Sequence, residues 1–403
     1  MSVPQALRPG AGLKLATGIF LAAWTLIAVF PLLWIAIMSV KLPVDAFASD
    51  PLQVIVGDAT IEQRGGLSPI FLVLYLAAIF AAYRLAGKLA RSMVTSLSLM
   101  GSAFVGWLGT ALVMLGALFV AFFLVLPWAV DRLDIAASAL SFTSWLGRPL
   151  FGLTMEHYRA VWIGHAFYHQ FINSLIVTTG VVVISLTVGT LAGYALARTE
   201  SNLGFWLLII ALIFRALPQS VLVTGYLPTF IDSRQLLMPL WASPWSGWFF
   251  RLFSDAPPTL YGQPLAVIMV LVSINQPFTI WMLRSFFVNI PRELDEAARV
   301  DGCTYFEAFW RVIMPVMWPG VVTTGLFAFL LAYNDFLVTS LLLDSQSQTM
   351  VPAIASFFNR ETTTTDQVQA VAAAVSITAP LFVLVMVFQR QIVSGLTQGA
   401  VKG

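Results

Sequence analysis

Apolar and charged positions along this chain separate into long blocks instead of alternating at strand or surface-helix spacing. Strongly apolar runs, uncharged apart from Arg215 and Asp335, occupy about 15–40, 67–83, 103–128, 171–197, 204–230, 264–283, 314–341 and 370–388. Crossing the hydrocarbon of a bilayer takes about 20 helical residues, and all eight runs are near or above that length. The pattern therefore predicts an all-α polytopic membrane protein of about eight transmembrane helices. The first run, from Leu15 to Val40, is too long for a signal-peptide core and lacks a small-residue cleavage pattern, so it reads as a retained span. An even number of spans puts both termini on one side. Arg84, Lys88 and Arg91 pin the turn between the second and third spans to the cytoplasm, and both termini with it. The segments near 41–66, 129–170, 231–263 and 342–369 then lie outside, and none is expected to bury an independent core.

Composition agrees with the pattern. Hydrophobic residues make up 59% of the 403 and charged residues only 10%, with a mean hydropathy of +0.87. A net charge of +2 without a basic stripe leaves nothing to neutralise nucleic-acid phosphates. The nearest fragment to a phosphate-binding loop is "LAGKL" at 85–89, which lacks the upstream glycine and the hydroxyl that would hold magnesium. The chain is thus expected to hydrolyse no ATP and to bind no cofactor. His157, His165 and His169 lack a neighbouring Cys or a His-Glu-x-x-His pattern, so no metal site is expected either.

One stretch breaks the apolar background. "ELDEAARVDG", residues 293–302, carries Glu293, Asp295 and Glu296 where acids complement the positive end of a helix dipole. Pro291 suits a first helical position, and Gly302 sits where a glycine stops a helix. Thr304 and Glu307 have capping-box spacing and start a second helix bearing Tyr305, Phe306, Phe309 and Trp310. An interfacial helix lying on lipid is the competing reading, but an acidic face does not suit anionic headgroups. Ala297 and Ala298 permit close approach of another protein, so the pair of helices predicts a docking element.

These residues also carry a resemblance. Glu296-Ala297-Ala298, three residues, Gly302, nine residues, then Val312-Ile313-Met314-Pro315 resembles the loop that marks membrane subunits of ATP-binding-cassette (ABC) importers, with Val312 and Met314 as mild departures. "FFVNIPRELDEAARVDG", "FWRVIMPVMWPG", "FINSLIVTTG", "GYALAR", "PFTIWMLRSFF", "YNDF" and the C-terminal "QRQIVSGLTQGAVKG" are similar to carbohydrate importers of the maltose type, as is the first span ending "FPLLWIAIMSVK". The resemblance implies a type I ABC importer transmembrane fold whose coupling element, 291–312, docks into a groove of a separate ATPase. It assigns ATPase coupling to Glu293, Glu296, Ala297, Ala298, Asp301, Gly302, Tyr305, Phe306 and Phe309, with Glu296 as polar anchor, Gly302 as bend and Tyr305, Phe306 and Phe309 as an apolar plug. The implied partners are a second permease subunit, an ATPase dimer carrying ATP and magnesium, an extracytoplasmic solute-binding protein, a sugar substrate and membrane lipid.

The chain departs from that family between 42 and 150, where two further apolar runs predict an inserted hairpin, as in the α-glucoside branch. The domains expected are 1–41 with the first span, 42–150 as the insertion, and 151–403 as the permease core. Within the core, charged or amide residues in apolar spans mark candidate pathway groups. Arg215 lies near a kink expected at Pro218; Asn275, Gln276 and Pro277 are expected to interrupt the sixth span, beside Phe278 and Trp281; Asn334 and Asp335 lie toward the end of the seventh. Asn359, Arg360 and Glu361, before the last span, are candidate contacts for the binding protein. The alternative function is a secondary transporter or channel for a small polar solute, which would need an ion site or paired broken helices in inverted repeats.

Overall fold

The computed structural model describes residues 10–97, 120, 121, 125–139, 143, 146–199, 202–245, 247, 248, 257–358 and 363–398. The chain divides into two compact units, Met1–Arg159 with Thr363–Ala372, and Ala160–Thr362 with Ala373–Gly403. Nearly all of the described structure is helical.

In the first unit, α1 (Ala11–Met38) is about 42 Å long at 1.5 Å per residue, and from residue 12 to 33 every side chain is exposed. An apolar stretch exposed all round, as 12–33 is, is built for an apolar surround. Three short helices follow: α2 (Pro43–Ala46), α3 (Pro51–Val56) and α4 (Asp58–Arg64). Prolines at their first positions start α2 and α3, the Asp50 carboxylate accepts from the backbone N–H of Leu52 at 2.9 Å, and Gly57 at φ +77° ends α3 in a left-handed turn. β1 (Gly66–Leu67) then pairs antiparallel with β2 (Phe151–Gly152).

The segments 41–66 and 148–159, of which no independent core is expected, close together around a polar knot. Lys41, Asp45, Thr60 and His157 are each at most 2% exposed. The Lys41 ammonium donates to the carbonyls of Ile55 at 2.8 Å, Val56 at 2.9 Å and Gly152 at 2.7 Å. Asp45 accepts from both the backbone N–H and the hydroxyl of Thr60 at 2.6 Å, and His157 Nε2 lies 2.9 Å from the Lys41 carbonyl. Burial pushes the Lys41 ammonium below the usual lysine range, with Asp45 and Asp58 opposing the shift. Replacing Lys41 by Met is expected to open this knot, because each buried carbonyl left without a donor costs roughly 1–3 kcal/mol. Faster proteolysis within 41–66 of the purified variant, at unchanged total helix content, is the measurement.

Beyond β1, α5 (Pro69–Leu97) and α6 (Leu126–Ser138) pack on each other, and the Ser68 hydroxyl lies 2.8 Å from both carboxylate oxygens of Asp134. The second predicted span is shorter than expected: the apolar part of α5 ends at Ala82, about 21 Å from its start, before Arg84. Most of the third predicted span, 103–128, lies outside the described residues. α7 (Glu156–Arg159) closes the unit, with Glu156 2.7 Å from Arg64.

The second unit is built on α8 (Tyr168–Arg198), α12 (Pro264–Val288) and α15 (Met314–Tyr333), which pack on one another. Small residues set the approach of α8 to α12. A Cβ at Gly189 would lie 2.7 Å from Thr279 Cγ2 and 3.1 Å from Leu283 Cδ1, and one at Gly193 would lie 3.1 Å from the Arg284 backbone nitrogen. The remaining helices are α9 (Asn202–Arg215), α10 (Gln219–Ile231), α11 (Ser233–Ala242), α13 (Glu293–Val300), α14 (Tyr305–Ala308), α16 (Leu337–Leu342), α17 (Met350–Phe358) and α18 (Thr364–Gln398). The part of α18 in this unit accepts, at the Ile377 carbonyl, a hydrogen bond of 3.2 Å from the Tyr333 hydroxyl.

Among the described residues, five helices are long and apolar enough to cross a membrane: Gly12–Met38, Tyr168–Arg198, Pro264–Val288, Tyr305–Tyr333 and Thr364–Gln389. The predicted span at 204–230 is instead two helices, α9 and α10–α11, meeting at 92°, which together make up to a sixth. Pro218 supplies no N–H and forces Leu217 away from helical torsions, so the expected kink becomes a break. The predicted 314–341 span ends early, at Tyr333, because Asp335 starts a new helix. Its carboxylate accepts from the Thr339 N–H at 3.0 Å. Conversely, Asn275, Gln276 and Pro277 do not interrupt α12, which continues through them to Val288. Packing against α8 holds the helix around the missing proline donor.

Candidate functional site

The docking element forms as its local signals dictate, with one shift: α13 starts at Glu293, two residues after Pro291. Gly302 ends it at φ +91°. Thr304 then makes both halves of a capping box, its Oγ1 accepting from the Glu307 N–H at 3.3 Å and its own N–H donating to Glu307 Oε2 at 3.0 Å. A π-helical turn, Phe309–Ile313, feeds the chain into α15.

Helical spacing divides the element into two faces. Glu293, Glu296, Ala297 and Val300 look outward, as do Asp301, Gly302, Tyr305, Phe306 and Trp310; Val300 is 87% and Tyr305 70% exposed. So many aromatic and aliphatic groups beside acids form a surface of the kind that protein partners cover. Leu294, Asp295 and Ala298 face the other way. Of the expected coupling residues, Ala298 and Phe309 do not reach the outward surface: Ala298 is 5% exposed, and Phe309, at 3%, packs into the core with Leu283, Phe287, Ile290 and Ile313. Phe309, four positions after Tyr305, opens the π-helical turn, and its ring lies 4.9 Å from that of Tyr194 and 6.4 Å from that of Phe287.

The inward face carries a polar cluster that the sequence reading did not assemble. Arg198, the last residue of α8, places Nη2 2.7 Å from Asp295 Oδ2, and the Tyr194 hydroxyl donates to Asp295 Oδ1. Arg198 Nη1 also donates to the carbonyl of Ile290 at 3.1 Å and, at 3.4 Å, to that of Phe287. A signal was present: Tyr194 and Arg198 are four apart in "GYALAR", on one face of a helix.

The expected pathway residues fall into two places. Arg215, at the end of α9, sets its guanidinium 4.8 Å over the Phe278 ring, which lies 6.1 Å from Trp281. A cavity of about 260 Å³ opens here between Arg215, Leu222, Tyr226, Ser273 and Pro277. Gln276, one residue back, lines a neighbouring apolar cavity of about 540 Å³ and donates to the Ser185 carbonyl at 3.3 Å. Asn275 is buried in α12, its amide nitrogen without a hydrogen-bond partner among the described residues. Asn334 and Asp335 do not join this group; they lie past the end of α15, where Asn334 donates to the Leu330 carbonyl at 3.0 Å. Asn359, Arg360 and Glu361 lie outside the described residues.

The pattern defining binding-protein-dependent transport system inner membrane components matches residues 185–398, more than half of the chain. The chain belongs to this family. The matched segment contains the whole docking element, Tyr194, Arg198, Arg215 and the α12 cluster. The permease is 33% identical over 252 residues to the trehalose transport system permease protein SugB of Mycobacterium tuberculosis, covering 62% of this chain and 83% of that one. It is 34% identical over 253 residues to the diacetylchitobiose uptake system permease protein DasC of Streptomyces coelicolor, covering 62% and 82%. Against the trehalose/maltose transport system permease protein MalG of Thermococcus litoralis it is 28% identical over 296 residues, 72% of this chain and 96% of the relative. The permease is thus a multi-pass, translocation-pathway subunit of an ABC importer.

Proposed function

We propose that this permease imports a small oligosaccharide, most plainly an α-glucoside, as one of a pair of permease subunits driven by a separate ATPase dimer and supplied by an extracytoplasmic binding protein. The observation that carries the reading is the docking element, whose outward face offers Glu296, Tyr305 and Phe306 while its inward face is held by the transmembrane core. Relatives named for trehalose, chitobiose and maltose transport support the sugar class. So do the hydroxyl and amide groups of Ser273, Tyr226 and Gln276 beside aromatic rings around Arg215, a mixture suited to sugar hydroxyls and sugar faces.

In this reading the docking element and both termini are cytoplasmic, in line with the positive charges Arg84, Lys88 and Arg91. ATP and magnesium are bound by the ATPase. Closure of the ATPase dimer moves its groove, the groove moves the docking element, and the core spans change between inward-open and outward-open states. Such coupling requires contacts that differ between the two states. Asn359, Arg360 and Glu361 are proposed to meet the binding protein, and residues 42–150 to form a peripheral insertion.

The test is uptake of labelled trehalose, maltose and diacetylchitobiose by proteoliposomes holding the complete transporter with its binding protein. ATP-dependent accumulation of at least one α-glucoside is expected. Failure of all three, with transport of a non-carbohydrate solute, would overturn the sugar assignment.

A further inference from the structure

Between Asn289 and Gly302 the docking helix α13 hangs from two turns. On one side the chain leaves α12 at Val288; on the other, Gly302 at φ +91° turns it into α14. Two turns alone leave an eight-residue helix free to pivot. What sets its angle is the contact of its inward face, where Leu294 packs on the core, Ala298 is buried and Asp295 meets the end of α8.

We propose that Arg198, Tyr194 and Asp295 are positioning residues that form the strut through which movement of the docking helix reaches the transmembrane core. Arg198 joins three segments at one guanidinium: it ends α8, pairs with Asp295 on α13, and donates to the Phe287 and Ile290 carbonyls at and just past the end of α12. Tyr194, one turn earlier on α8, holds the other oxygen of the same carboxylate and packs its ring 4.9 Å from Phe309 and 5.5 Å from Phe287. The pair is shielded, with Arg198 17% and Asp295 15% exposed, so its attraction is screened less than that of a surface pair. A carboxylate that accepts the Tyr194 hydroxyl at one oxygen and faces the Arg198 guanidinium with the other is tied to α8 at two points four residues apart, which apolar contact alone does not do. Above this point α8 and α12 approach through Gly189 and Gly193 too closely to slide freely. A push on α13 therefore turns both helices together.

This inference rests on α13 being the ATPase docking helix, and the two are separable. In proteoliposomes with the ATPase and binding protein, Asp295→Asn and Arg198→Gln are expected to recover the ATPase normally and hydrolyse ATP, while solute moved per ATP falls about tenfold. Asp295→Glu, which keeps the charge, is expected to restore most of the ratio. Tyr194→Phe keeps the ring packing and the ion pair, folds with the least disturbance, and is expected to lower the ratio about threefold. Unchanged solute per ATP in Asp295→Asn, Arg198→Gln and Tyr194→Phe would overturn the strut. ATPase loss in all three would overturn it too, by assigning these residues to assembly. Normal ATPase recovery and uptake in Glu296→Lys would instead overturn the docking reading itself, whatever the strut variants do.

Discussion

Glu296→Lys is expected to cut solute uptake by about a hundredfold or more and to reduce recovery of the ATPase with the permease, while the permease itself stays folded in the membrane. Glu296 lies on the outward face of α13 and is exposed, so the substitution removes no contact of the core. Lysine is a good helix former, and Glu293 and Asp295 still complement the helix N-terminus, so the local cost is within about 1 kcal/mol. Across a docked interface the balance differs: truncating one member of a buried charge pair costs about 2–5 kcal/mol, and reversal adds repulsion. Since about 1.4 kcal/mol is tenfold in an equilibrium, two or more decades of docking affinity are at stake. Glu296→Gln should lose less. Full uptake and full ATPase recovery in Glu296→Lys would mean that this face does not dock.

Gly189→Leu is expected to do something different, removing the folded permease rather than its partner. The first side-chain carbon would already lie 2.7 Å from Thr279 Cγ2. Thr279 cannot rotate away cheaply, being 1% exposed with its hydroxyl bonded to the Asn275 carbonyl at 3.2 Å. Three further carbons would push α8 off α12 along the most closely packed contact of the unit. Overpacking of a core costs typically about 1–3 kcal/mol and more where backbones must part. Fluorescence-detected gel filtration of the detergent-extracted variant should show aggregated or absent protein, with Gly189→Ala intermediate. A wild-type elution profile and melting temperature for Gly189→Leu would show that the helices are looser than their geometry implies.

The two substitutions also mark how much of the molecule could be read from the chain. Glu296 was legible because everything that forms α13 is local: acids at its start, Gly302 past its end and the Thr304–Glu307 box that begins the next helix. The apolar runs likewise predicted five of the helices that can cross a membrane, since hydrocarbon thickness constrains length and composition directly. Gly189 was not legible as a contact, because nothing in "GTLAG" says which helix comes close. The buried knot around Lys41 was invisible for a related reason. Its ligands are backbone carbonyls, which leave no trace in residue type, and one of them belongs to Gly152, 111 positions away.

The docking element shows the division most plainly. The residues of 291–312 by themselves determined that two short helices would form around Gly302, with acids, alanines and aromatics on them, because caps and helix dipoles act within a few residues. Only the tertiary structure decided which of those residues face out. Glu296 and Phe306 are exposed while Asp295 and Phe309 turn to the core, because Arg198 and Tyr194 of α8 attract the carboxylate and the rings of Tyr194 and Phe287 pack on that of Phe309. The same holds at Pro218, where the sequence determined that the helix must yield, and packing decided that it would turn by 92°. Short-range chemistry sets what a segment can form; the neighbours that arrive from a hundred residues away set the direction in which it points.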